Sequence, residues 1–275
     1  MTWFSLKRTL QSNLASSIEV LNPVNPDLLR SNLHTPLRYS AVLLSIGKTT
    51  QICHQNIPLK KVHDNGTVIY ISAISRKLAT IWHRPSDDIA TILLSLLHEV
   101  SPQPVWSSVQ KTDDGWLKFV ISQSGIDYWQ HQLTQWPLPE SPQMQSSSIG
   151  PEQLWRLQAG YELCCRWQRH CHLANPQESP SEISSSVRHS QTPFLMPSQP
   201  LETLIHCLLD ICDRWERTDA PQLLRQVQTL VSIVEKCARL PELSSAASSP
   251  WSTATQIVLQ QSLQGRLGYP LAKRF

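Results

Sequence analysis

Glycine is scarce in this chain, with eight residues in 275. Neither a G-x-G-x-x-G nor a G-x-x-x-x-G-K-[ST] stretch occurs, so a Rossmann or P-loop nucleotide site is not expected. Charge of one sign is also lacking. Residues 1–150 carry 12 Lys and Arg against 10 Asp and Glu, and residues 151–275 carry 12 against 11. Bulk charge therefore does not announce nucleic acid, and any affinity for it must come from local patches. No apolar run approaches the roughly 18 residues needed to span a bilayer. The N-terminus, Met1-Thr2-Trp3-Phe4-Ser5-Leu6-Lys7-Arg8, lacks the layout of a secretory leader. A cytoplasmic protein without a membrane partner is expected. The seven cysteines lack disulfide-framework spacing and read as reduced thiols. No paired carboxylates, nucleophile motif or metal spacing stands out, so no catalytic residue, metal or cofactor is expected.

Proline is abundant, at 20 residues, and marks the organisation. Residues 136–150 are rich in Pro, Ser and Gln and read as a linker between domains 1–135 and 151–275. Residues 173–200 are similar in composition and read as a Pro/Ser-rich insertion in the second domain.

The second domain is helical throughout. Pro151 suits a first helical position, and Leu154, Leu157, Tyr161, Cys164 and Cys165 share one side. Leu201, Leu204, Ile205, Leu208, Cys212 and Trp215 form a second stripe. Thr218 or Asp219 caps a third helix that turns Leu224, Val227, Leu230, Val231, Val234 and Cys237 inward. Ser249 caps a fourth helix from Pro250 to about Leu267, ended by Gly268. Four such helices make a bundle. The first domain is α+β: a helix over 3–20, strands over 39–46 and 67–71, helices at 73–82 and from Ser86, and an alternating strand in Gly115–Ile121.

The segment Leu157-Gln-Ala-Gly-Tyr-Glu-Leu-Cys-Cys-Arg-Trp-Gln-Arg169 resembles the opening helix of the DALR anticodon-binding domain of arginyl-tRNA synthetases. The family pattern there is roughly L-Q-Y-A-H-A-R-C-C-S-L-L-R, with Gln158, Cys164, Cys165 and Arg169 in register. The end of the chain, from Ala254 through Leu267-Gly268 to Phe275, is similar to the closing helix and tail of that family. Tyr70, Ser72, Leu78, Ala79, Pro85, Ile89, Ala90 and Gly115–Phe119 resemble its N-terminal domain, so the likeness covers most of the chain. The H-I-G-H-like and K-M-S-K-S-like catalytic signatures are absent. The resemblance therefore implies an arginyl-tRNA synthetase-like, non-catalytic protein that binds tRNA or other structured RNA, and it leaves room for a role as an accessory subunit. Where the family pattern has Tyr, His and Arg, this chain has Ala159, Tyr161 and Leu163.

Candidate RNA-binding residues follow from arginine and lysine near aromatics, which hold phosphates and stack bases. They are Arg156, Tyr161, Arg166, Arg169 and His170 on the helix carrying Trp155 and Trp167, then Arg76, Lys77 and Arg84 in the first domain, and Lys273 and Arg274 in the tail. The bland alternative is a solvated face over core indoles. The competing function is a protein-interaction or assembly factor that reuses the fold without RNA binding, suggested by neutral charge and ten tryptophans. No DNA partner is expected.

Overall fold

The computed structural model describes residues 5–20, 56–64, 66–100, 105–137, 149–173, 199–240 and 249–271. The strand expected over 39–46, residues 138–148 of the linker expected over 136–150, residues 174–198 of the insertion expected over 173–200, and the tail residues Lys273 and Arg274 lie outside them. The chain divides into two compact units, one of them Leu6–Ile126 and the other formed chiefly by the chain from Asp127 onward.

The first unit is α+β. It comprises α1 (Leu6–Val20), β1 (Leu59–Asp64), β2 (Thr67–Ser72), α2 (Ile74–Trp82), α3 (Ser86–Val100), β3 (Trp106–Lys111) and β4 (Leu117–Ile121). The strands form one antiparallel sheet in the order β1-β2-β4-β3. Val68, Tyr70, Leu117, Phe119 and Ile121 are buried. Strand alternation sends these residues to one face, where they form the core with Ile74 and Leu78 of α2 and Ile89 and Leu93 of α3. Leu6, Leu10 and Leu14 of α1 are buried at helical spacing, and α1 packs on α3. Gly66 (φ 78°) and Gly115 (φ 72°) supply the left-handed conformation that the two hairpin turns need.

Two strands in the sheet, β1 and β3, were not expected from sequence. Both are edge strands, Leu-Lys-Lys-Val-His-Asp and Trp-Ser-Ser-Val-Gln-Lys. Edges carry lysines and polar groups that discourage further pairing, and this blurs their hydrophobic alternation.

The second unit is helical. Helix α4 (Gln123–Thr134) straddles the division, grouping with the second unit from Asp127 on. The bundle helices are α5 (Pro151–Leu173), α6 (Gln199–Arg214), α7 (Ala220–Cys237) and α8 (Ser249–Gln260). Gln168 donates to Thr253 Oγ1 (3.0 Å), and Gln256 donates to the Tyr161 hydroxyl (3.1 Å). Rising numbers on α5 meet falling numbers on α8, so the two run antiparallel. The Cys237 thiol, at the end of α7, donates to the Pro200 carbonyl at the start of α6 (3.5 Å), so these also run antiparallel. Gly160 lies against Val231, and the Cys164 thiol feels that of Cys237, so α5 and α7 ascend together.

Local signals set the helix ends. Asp219 is the cap of α7, with its carboxylate accepting from the Gln222 amide at 2.8 Å and Pro221 in the first turn. Asp219→Ala is expected to cost about 1 kcal/mol, read as a lower midpoint in urea unfolding with an unchanged m-value. In the first turn of α7 the buried leucine is Leu223 rather than Leu224, which is half-buried. Helix α8 does not run on as α-helix. It underwinds into a π-helical stretch, Gln261–Arg266, before Gly268 (φ 74°) ends it. Arg266 there reaches the carbonyls of Trp215 (3.0 Å) and Thr218 (2.7 Å), beyond the C-terminus of α6. Its guanidinium lies 5.6 Å from the Trp215 ring centre. A cation placed there satisfies carbonyls that the helix end and turn leave open and opposes the negative end of the dipole. No described helix is long and apolar enough to cross a membrane.

Candidate functional site

Helix α5 holds five of the ten candidate residues, and its phase sorts them. At about 100° per residue, Trp155, Ala159, Glu162, Arg166, Arg169 and His170 fall on one arc, with Arg156 at its border. All of them are exposed except Glu162, which is partly so. Trp155 is 70% exposed, against 3% for Trp167 on the same helix. Trp167 therefore belongs to the core, and the indole open to a ligand is Trp155. Tyr161 is directed elsewhere. It is half-buried and its hydroxyl accepts from Gln256 on α8, so the helix does not bring it together with the arginines.

Glu162 organises the arginines. Its Oε1 lies 3.0 Å from Arg169 Nη2 and 3.5 Å from Arg166 Nε. Arg169 Nε also donates to the Cys165 carbonyl (3.3 Å). One carboxylate between two guanidinium groups leaves a net positive charge. Both pairs are solvent-exposed, and such pairs are worth only about 0–1 kcal/mol. Exchanging the carboxylate for a phosphate is therefore cheap. Arg156 donates from Nη2 to Ser232 Oγ on α7 (3.1 Å), which carries the surface across the helix boundary.

On α7, Ser232 lies on one arc with Arg225, Thr229 and Lys236, and Arg239 follows just past the helix end. Arg225, Thr229, Lys236 and Arg239 are exposed. This second basic stripe was missed in the sequence, although its spacing of four, three, four and three residues was there to be read. Charge is thus segregated within the bundle. Helix α5 carries three arginines against two glutamates, and residues 220–239 carry Arg225, Lys236 and Arg239 against Glu235. Residues 199–219 carry Glu202, Asp210, Asp213, Glu216 and Asp219 against Arg214 and Arg217. The near-neutral total conceals a basic α5/α7 side and an acidic α6.

The first unit shows no such pairing of stripes among its described residues. Arg76 and Lys77 are exposed on α2, with Lys77 Nζ donating to the Asn56 carbonyl (3.1 Å). Arg84 is half-buried and follows His83, which ends α2 in the left-handed conformation (φ 53°). Lys111 and Lys118 are paired with Asp87 (2.7 Å) and Asp64 (3.7 Å).

Among the described residues, Cys164, Cys165, Cys212 and Cys237 are core groups. Burial, and then the neighbouring Cys165 and Cys237, push the Cys164 thiol far above its ordinary 9.0. Burial pushes Cys237 up to about 11. A thiol that stays protonated is a poor nucleophile and a poor metal ligand. Among the described residues, no group of three or more His, Cys, Asp or Glu is placed to hold a metal ion. Two outcomes are expected. In native protein at pH 8, iodoacetamide labels half-exposed Cys207 well before Cys164 and Cys237, as peptide mass mapping would show. Stability falls as pH rises from 9 towards 11, because the unfolded Cys237 thiol releases its proton first while the folded one keeps it. A pH series of urea midpoints, compared with Cys237→Ala, measures that contribution.

Comparison of the chain with protein-family models, with curated proteins and with solved structures finds no match.

Proposed function

We propose that this protein is a non-catalytic RNA-binding protein, related to arginyl-tRNA synthetases through a DALR-like bundle, that holds structured RNA on the α5/α7 side of its second unit. The supporting observation is the set of exposed cations on α5 and α7, the former helix also exposing the Trp155 indole, in a chain with almost no net charge. Arg156, Arg166, Arg169, His170, Arg225, Lys236 and Arg239 contact phosphates, while acidic α6 keeps the opposite side from competing. Arginine suits this role because its planar fork grips phosphate with two parallel bonds. Arg76 and Lys77 of the first unit are a second set of contacts in this reading. Tyr161 is left out, since its hydroxyl is engaged with α8. The likeness of both ends of the chain to arginyl-tRNA synthetases favours tRNA among structured RNAs. An accessory role beside a catalytic partner fits the missing synthetase signatures.

A mobility shift with bulk tRNA at low salt tests the proposal. Binding that weakens steeply with added salt is expected. No shift at low salt, with a protein partner recovered in stoichiometric amount from cells, would sink it in favour of an assembly factor.

A further inference from the structure

Trp155 is the most exposed large apolar side chain among the described residues. A tryptophan left in water forgoes a large burial gain, so its surroundings indicate what it is exposed for. Its neighbours one turn away are Pro151, Glu152, Gln158 and Ala159, with Arg156 beside it. Only Ala159 and Pro151 are apolar, and neither is large. Protein hot spots sit inside a contiguous apolar patch that excludes water. On its own helix this indole is flanked instead by Glu152, Gln158 and Arg156, with no large apolar side chain one turn away. Helical phase puts Arg166 on the same line, about 16 Å further along the axis. A flat π-surface with guanidinium groups at its side and further along a line matches the alternation of base and phosphate in an unpaired strand.

We infer that Trp155 is a stacking platform for an unpaired RNA base, with Arg156 on the adjoining phosphate and Arg166 and Arg169 on phosphates a few nucleotides along. This rests on the RNA-binding reading above and narrows its ligand to a single-stranded or looped segment. Base faces inside an A-form duplex are covered by their neighbours and offer Trp155 nothing to stack on. Stacking accepts any base, so little sequence preference comes from this position.

The test uses the full chain with fluorescein-labelled oligouridylate and an RNA duplex of equal length, followed by fluorescence anisotropy. Trp155→Ala should weaken oligouridylate binding by about tenfold and leave duplex binding unchanged. Trp155→Phe should retain most of the affinity. Thermal melts should coincide with the wild type, because the side chain touches little of the core. Unchanged oligouridylate binding by Trp155→Ala, while Arg166→Ala weakens it, overturns the stacking role and leaves the RNA reading standing. Equal losses on oligouridylate and duplex overturn stacking as well. Unchanged RNA binding with loss of a stoichiometric protein partner assigns the indole to a protein interface and overturns it too. Failure of the wild type to bind oligouridylate, duplex or tRNA at low salt removes the RNA reading and this inference together.

Discussion

Alanine at position 160 destabilises the bundle by about 1–3 kcal/mol, the usual cost of overpacking a closed core. A Cβ on Gly160 would lie 2.5 Å from Val231 Cγ2 and 2.7 Å from its Cγ1. Val231 is fully buried, so neither methyl group has room to retreat. Alanine is the better helix former by roughly 1 kcal/mol, and that gain offsets part of the clash. The remaining penalty comes from Val231. Removing its methyl groups should rescue the variant, because the new Cβ would then meet only the Cβ of residue 231, at 3.1 Å. The Gly160→Ala/Val231→Ala double variant is therefore expected to be clearly more stable than the two single losses summed. Simple additivity would mean that α5 and α7 do not meet here. The consequence reaches the proposed interface, because the same close approach sets Arg156 against Ser232 and joins the two basic stripes.

Reversing charge at Arg166 and Arg169 should have the largest effect on binding. Arg166→Glu with Arg169→Glu replaces two cations beside Glu162 with two carboxylates and turns the centre of the α5 face acidic. Affinity for tRNA is expected to fall by roughly a hundredfold at low salt, from two lost phosphate contacts and added repulsion. The dependence of log K on log salt should become shallower by about 1.5. The control makes the same change in net charge elsewhere. Arg214→Glu with Arg217→Glu, at the end of acidic α6, should leave affinity within a few-fold of the wild type. Equal losses in both variants would mean that net charge matters and the α5 face does not.

The elements that the sequence shows clearly are those whose hydrophobic pattern is set by one buried face. The stripe of α6 is of this kind, while Pro151 at the start of α5 and Gly268 at the final stop are legible as backbone signals. The edge strands β1 and β3 were hidden because edges are selected for polarity rather than alternation. The π-helical turn at Gln261–Arg266 was hidden because its supports are distant. Gln261 donates to the Pro137 carbonyl (2.6 Å) and Arg266 to the turn after α6, and no local pattern encodes either. At the candidate site, residue type gave Trp155 and Trp167 equal weight, and only phase relative to the Gly160 contact separates them. Tyr161, by contrast, already lies in the stripe of Leu154, Leu157, Cys164 and Cys165, in keeping with its half-burial. The α7 stripe was legible as a spacing but gains meaning only once α7 is placed beside α5.

The central claim is that the α5/α7 side holds RNA by charge. The most direct measurement is the dissociation constant of the full chain for bulk tRNA across a salt series. Micromolar or tighter binding at low salt is expected, with log K falling linearly against log salt at about 0.7 to 0.9 per phosphate engaged. The slope should correspond to several phosphates. Absence of binding at low salt, or an affinity indifferent to salt, would contradict it.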